Sequence, residues 1–185
     1  MNIRNNYYLV NMELTSLRLL LTPVTTADIP VIHRLHSMPE TDEYNTLGIP
    51  ADIAVTADVV NGWLRDADQQ VWCITVRDTR EFIGLAALVL KTPRFRSAEV
   101  WYKLDPAWWG QGLATETVTT LVQYAFDQLN LHRVEAGCAV NNKGSARVLE
   151  KSGMQLEGRK RKVLPIRGTW SDNFMYAILA EDRRH

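Results

Sequence analysis

The chain has 185 residues, and 46% of them are apolar against 23% charged. That composition excludes bulk disorder, and the length suits one domain able to bury its own core. Lys and Arg number 21, as do Asp and Glu, so net charge supports neither a wholesale nucleic-acid partner nor a membrane surface.

The charge is uneven. Residues 1–70 hold four basic against nine acidic side chains, and residues 71–185 hold seventeen against twelve. An anionic ligand would therefore sit more comfortably on the second half. Cys73 and Cys138 lie in apolar runs, and no Cys-x-x-Cys or Cys/His cluster accompanies them. This argues against a metal site and for buried free thiols in a reducing, cytoplasmic setting. No apolar run approaches the roughly 18 residues of a membrane span. Residues 1–14 read as an N-terminal extension to a domain over 15–182, with 1–11 frayed and Met12 a candidate natural start.

Leu17–Val24 reads as a first strand, and Thr26 as the cap of a short helix carrying Ile29, Ile32, His33, Leu35 and His36. Residues 39–51 read as a loop, with acidic Glu40, Asp42 and Glu43 in it and Asp52 just beyond. A second helix follows over Ala54–Ala67. Strands are expected at Val71–Val76 and Phe82–Leu90, joined at hairpin length, and then at Ala98–Leu104 after a basic loop. A long helix follows Gly112, with Leu113, Val118, Leu121, Val122, Ala125 and Leu129 at near 3.6-residue spacing. Arg133–Val140 is a further strand. Asn142–Lys151 is a short helix with Asn142 as cap and Gly153 closing it. Met154–Val163 and Trp170–Leu179 form a terminal antiparallel pair. The class is α/β or α+β, with one sheet of about seven strands and about four helices. The unit 98–140 should supply one parallel pair with a right-handed crossover.

The sharpest chemical feature is Trp109-Gly110-Gln111-Gly112-Leu113-Ala114-Thr115-Glu116, set between a strand and a helix. Glycines let the backbone approach a ligand closely, and free N–H groups at a helix start suit a phosphate. A plain strand-to-helix turn reads the same way. A third glycine falls at Thr115, and no Gly-Lys-Ser/Thr ending exists, so a dinucleotide or ATP site is disfavoured.

This segment resembles the cofactor loop of the GNAT N-acetyltransferases. The usual Gln or Arg of Gln/Arg-x-x-Gly-x-Gly/Ala is missing, since the slot falls on Ala107 or Trp109. The departure is similar to the RimJ/RimL-like group, which modifies ribosomal-protein N-termini. Its pattern Pro-x-x-Trp-Gly-x-Gly-x-Ala-Thr-Glu matches Pro106, Trp109, Gly110, Gly112, Ala114, Thr115 and Glu116. Asn142-x-x-Ser145, Glu150-Lys151-Ser152-Gly153-Met154, Glu157-Gly158 and Gly168…Asp172…Tyr176 continue the likeness. Leu17-Arg18-Leu19-x-Leu21-x-Pro23 opens it, so it runs from about residue 15 to 180.

The resemblance implies a twisted, mostly antiparallel sheet split between the 98–104 and 133–140 strands, with acetyl-CoA as co-substrate in the split. Trp109, Gly110, Gln111, Gly112, Leu113, Ala114 and Thr115 would take the pyrophosphate end, with Trp109 bracing the loop. The pantetheine arm would run along Trp101, Tyr102, Lys103 and Leu104, with Asn142 touching it. Ser145 would lie near the sulfur and relay a proton. Many members place a Tyr four residues later, where this chain has Leu149.

Glu99, just before the loop, is the first candidate base, and a solvated or ion-paired strand residue is its equal alternative. Asp172 is a weaker candidate. His33, His36 and His132 are better read as surface or core residues. The acceptor would be a primary amine, on a protein N-terminus or a small molecule, attacked directly in a ternary complex. A non-catalytic acyl-CoA-binding module is one alternative, and a ribosome- or RNA-associated protein using Arg159-Lys160-Arg161-Lys162 is another. Neither a metal nor a membrane is implied, and a homodimer is left open.

Overall fold

The computed structural model describes residues 12–183. The extension read at residues 1–11 lies outside the described residues. The strands are β1 (Leu14–Thr15), β2 (Leu19–Pro23), β3 (Gln69–Val76), β4 (Phe82–Leu90), β5 (Ser97–Leu104), β6 (Arg133–Ala139), β7 (Gln155–Ile166) and β8 (Thr169–Leu179). The helices are α1 (Ile29–His36), α2 (Pro39–Asp42), α3 (Ile53–Arg65), α4 (Leu113–Asp127) and α5 (Lys143–Lys151). They make a single sheet of order β1-β2-β3-β4-β5-β6-β8-β7. Only β5 and β6 run parallel among the pairs described, with α4 crossing between them.

Three local expectations change. Thr26, read as a cap, is the first residue of a 3-10 turn over Thr26–Asp28 with Thr25 at its N-cap position, and α1 follows from Ile29. The first strand breaks at Leu17, which is 78% exposed. The Ser16 hydroxyl accepts from Leu19 N at 3.1 Å and turns the chain, so Leu14–Thr15 doubles back onto Leu20–Leu21 as an eighth strand. The expected loop at 39–51 opens with the short helix α2. Pro39 starts it, and the Thr41 hydroxyl donates to Leu35 O at 2.8 Å, so the described residues hold five α-helices.

Other signals act where they were read. Asn142 caps α5 by accepting from Ser145 N at 2.9 Å, whereas Asp52, read only as an acidic residue beyond the loop, proves to cap α3 by accepting from Ala54 N at 2.8 Å. The α4 stripe Leu113, Val118, Leu121, Val122 and Ala125 is buried on one face of the sheet, against Val100, Leu104, Val134 and Ala136. On the other face α1 and α3 close a second core of Ile32, Leu35, Val60, Leu85 and Ala87. Side chains alternate along β5, so Val100 and Tyr102 turn toward α4 while Glu99, Trp101 and Lys103 turn toward α1 and α3.

The basic run does not alternate cleanly. The β7–β8 register slips between Lys160 and Leu164, and Lys162 takes φ 51°. Lys162 N and the Arg159 guanidinium both close on Asp172, at 2.9 and 2.6 Å. No helix among the described residues is long and apolar enough to cross a membrane.

Candidate active site

β5 and β6 are paired only from Ser97–Arg133 to Glu99–Glu135. Beyond that point β5 stays zipped to β4 as far as Leu104, while β6 stays zipped to β8 as far as Ala139. The two strands therefore part, and the edge of β5 from Val100 to Leu104 faces a gap. A strand edge with free N–H and C=O groups is a template for an extended amide chain.

The mouth of the gap is built by the turn after β5. The Trp109 indole N–H donates to Leu104 O at 2.9 Å, which braces the turn at the strand end. Gly110 and Gly112 have φ of 75° and 77°, a left-handed backbone that glycine adopts without penalty. Gln111 folds back onto Ala107 O at 3.2 Å. Leu113, Ala114 and Thr115 then form the first turn of α4, whose N–H groups have no helical carbonyl behind them.

Arg18 reaches this mouth from the start of β2. Its guanidinium donates to Gln111 O at 3.1 Å and to Glu116 at 2.7 Å, and Glu116 also accepts from Arg18 N and the Ser16 hydroxyl. Burial pushes the Glu116 carboxyl up, but those donors outweigh it and hold it below the ordinary value. The glycine turn is thus pinned by a charged clamp from β2. It presents N–H groups, a helix N-terminus and a cation together, a set that fits a pyrophosphate.

Across the gap, the Tyr102 hydroxyl meets Ser145 Oγ at 2.9 Å. Sequence reasoning assigned Tyr102 only a backbone contact, because nothing in the sequence relates β5 to α5. Burial pushes the Tyr102 hydroxyl up to about 12, although the Ser145 hydrogen bond offsets part of that. It stays protonated as a donor. Leu149, in the slot where a Tyr was absent, is buried core. Burial also raises the Cys138 thiol to about 11 and the Cys73 thiol to about 12, so both are inert near neutral pH.

Glu99 lies at the closed end of the gap, on the face opposite Tyr102, and takes Lys91 Nζ at 3.1 Å. The structure therefore gathers Tyr102, Asn142 and Ser145 on one side, and Glu99, Trp101 and Lys103 on the other. On that second side Trp101 packs on Trp63 at 5.7 Å, and His36 meets Trp63 edge-on at 6.0 Å.

Burial, with the nearby charges of Lys103 and His33, lowers His36 to about 4 and keeps it neutral. Burial likewise lowers Lys103 to about 8, against an opposing pull from Asp42. Asp42 of α2 is held at 3.4 Å by Arg167, from the tip of the β7–β8 hairpin, whose guanidinium also reaches Pro39 O at 3.0 Å. Of the acidic segment near residue 40, Asp42 alone turns inward. Asp172 is bound by Lys162 N and Arg159, which hold its carboxyl below the ordinary range. His33 is engaged with Thr56 at 2.8 Å. No group of ligands able to hold a metal ion occurs among the described residues.

Residues 18–155 match the family model of an acetyltransferase (GNAT) domain. The probable N-acetyltransferase YjcK of Bacillus subtilis is 39% identical over 118 residues, 64% of this chain and 65% of that protein, just under two thirds of its length. The uncharacterized N-acetyltransferase YoaA of the same organism is 30% identical over 165 residues, 88% of this chain and 93% of that one. The ribosomal protein uS5-alanine N-acetyltransferase of Escherichia coli is 29% identical over 106 residues, 57% of this chain and 55% of that one.

Among solved structures, a GNAT-family acetyltransferase from Bacillus anthracis superposes with TM-score 0.82 at 26% identity, covering 92% of this chain and 99% of that one. A spermidine N-acetyltransferase from Vibrio cholerae, solved with CoA and spermine, shares the fold with TM-score 0.81 at 23% identity, covering 90% and 98%.

Proposed function

Because the chain belongs to the acetyltransferase (GNAT) domain family, and is thereby an acetyl-CoA-dependent N-acetyltransferase, we propose that it acetylates a protein N-terminal α-amine or a small primary amine by direct attack in a ternary complex. Both kinds of acceptor occur among the similar proteins, one named for an alanine of ribosomal protein uS5 and the other for spermidine. The observation that carries the reading is the parted β5–β6 pair, with the clamped glycine turn at its mouth and the Tyr102–Ser145 contact across it.

Acetyl-CoA supplies an acetyl group already activated as a thioester. The chain has then to hold both reactants close, take a proton from the ammonium and return one to the departing thiolate. The N–H groups and the Arg18 guanidinium around Gly110–Thr115 suit the pyrophosphate, and the free edge of Trp101–Leu104 suits the amide-bearing arm, with Asn142 at its side. Glu99 is the proton acceptor in this reading, directly or through a water. Tyr102, kept protonated by burial and joined to Ser145, is the donor toward sulfur in place of the residue absent at Leu149.

The reading as an RNA-associated protein loses support, because the Arg159 guanidinium is paired with Asp172 and Lys162, whose backbone N–H also binds Asp172, donates its Nζ to Trp170 O at 3.1 Å. Calorimetric titration with acetyl-CoA, CoA and ATP tests the cofactor assignment. Binding of acetyl-CoA well above ATP is expected, and folded protein that binds neither thioester nor CoA refutes it. Glu99→Gln then separates an enzyme from a passive binder: it should slow turnover while leaving acetyl-CoA affinity intact.

A further inference from the structure

Two charged atoms on the α1–α3 face of the gap are sealed from solvent without a hydrogen-bond partner among the described residues. Lys103 Nζ is one and Asp42 Oδ1 is the other. Asp42 as a whole is only 6% exposed. Its second oxygen is occupied, since Arg167 Nε lies 3.4 Å from Oδ2. Lys103 and Asp42 interact electrostatically, yet no hydrogen bond joins them. Asp42 is ion-paired through Oδ2, but its Oδ1 and Lys103 Nζ keep hydrogen-bonding capacity that costs free energy when buried unmet, and a ligand supplying an oxygen and an N–H would satisfy both.

The two atoms differ in what they ask for. Lys103 Nζ has only protons to give and needs a carbonyl or carboxylate oxygen. Asp42 Oδ1 has only lone pairs and needs an N–H. His36, neutral beside them, and the rings of Trp63 and Trp101 add apolar wall and no competing negative charge. A polyamine offers donors and no oxygen, and would leave Lys103 unmatched with a second cation brought close to it.

Resting on the acetyl-transfer reading above, we infer that Lys103 and Asp42 form the acceptor-recognition pair. The acceptor they select carries a carbonyl or carboxylate one carbon from its amine. Lys103 Nζ takes that oxygen and Asp42 Oδ1 takes an N–H of the same backbone unit. The substrate class is the α-aminoacyl group, at a peptide N-terminus or as a free amino acid.

The test compares the purified enzyme on trialanine, free alanine, spermidine and isopropylamine, which is alanine with a methyl in place of its carboxylate. The expected order places an alanine compound above isopropylamine and spermidine in kcat/KM, and trialanine against alanine tells peptide from amino acid. Lys103→Met should lower the ratio of kcat/KM for the preferred alanine compound over isopropylamine by about tenfold or more, the worth of one charge-assisted hydrogen bond.

A residue that acted only on the chemistry or on folding would lower both rates and leave that ratio alone. Lys103→Gln serves as a second variant if Lys103→Met melts early. An unchanged ratio in a folded variant overturns the inference, as does spermidine outrunning both alanine compounds. Acetyl-CoA titration of the same samples keeps the two readings apart. Loss of binding in the unmodified protein sinks the transferase reading itself, whereas binding with an unchanged ratio sinks only the acceptor class.

Discussion

Gly84→Ala tests the contact between sheet and site most directly. Gly84 is the third residue of β4, opposite Leu104, and β4 lies inside the sheet with β3 on one side and β5 on the other. A Cβ there would stand 2.4 Å from Lys103 O, 2.9 Å from Leu104 Cα and 3.2 Å from Lys103 C. Carbon contacts settle near 3.5–4.0 Å, so the strands must part locally by about 1 Å. The obstructing atoms are backbone, so no rotamer change relieves them.

The neighbouring bond from Asp105 N to Ile83 O, now 2.8 Å, would stretch out of hydrogen-bonding range. Overpacking of this kind costs about 1–3 kcal/mol, and a ladder bond lost about 1 more. We expect a loss of about 3 kcal/mol, a large share of the roughly 5–15 kcal/mol that holds a domain together. Urea denaturation should show the midpoint falling by about 1.5 M at an m-value near 2 kcal/mol/M. The displaced edge is the end of β5 assigned to the pantetheine arm, so acetyl-CoA affinity should fall with it.

Gly62→Ala is the control, because nothing lies within 4 Å of its added Cβ inside α3. It should raise stability by about 0.5–1 kcal/mol. A Gly84→Ala protein with the midpoint of the parent would refute the reasoning.

Tyr102→Phe removes the hydroxyl facing Ser145 and nothing else. In a single-turnover assay the acetyl-transfer rate should drop about 100-fold with acetyl-CoA affinity within twofold, and an undiminished rate would remove Tyr102 from the chemistry. Gly112→Val forces a branched side chain onto φ 77° beside Arg18, so calorimetry should find acetyl-CoA binding weakened at least tenfold, while equal affinity would return the glycine turn to a purely structural role.

His36 is held near 4 in the fold against 6.5 when exposed, so the unfolded chain takes up its proton first as pH falls. Stability should therefore be lost between pH 6.5 and 4. His36→Gln should flatten that part of the pH profile measured by denaturation, and a slope identical to the parent's would contradict the assignment.

Much of the architecture was legible because local signals and the tertiary fold agree. The α4 stripe, the cap Asn142, and the glycines after β5 and α5 each carry a period or a backbone conformation that needs no distant partner. The glycine turn between a strand and a helix was likewise visible, and its glycines take the left-handed backbone that such a turn needs. The break at Leu17 was not, because it rests on one hydroxyl turning the chain against β-prone neighbours. The slip in β7 was hidden for the same kind of reason: alternation in Arg159–Lys162 gives way to the pull of Asp172 from the next strand.

The sequence by itself thus determined the order of the main elements, the class of sheet and the glycine turn between β5 and α4, since these follow from spacing and from residues acting within a few positions of themselves. The tertiary structure alone decided where side chains 40 to 125 residues apart converge. It set Tyr102 against Ser145, Arg18 against Glu116, and Arg167 against Asp42 beneath the gap where Lys103 is buried. Pairings across that distance depend on strand register and on which face each residue turns to, and a shift of one residue in β5 would send Tyr102 and Lys103 to each other's sides.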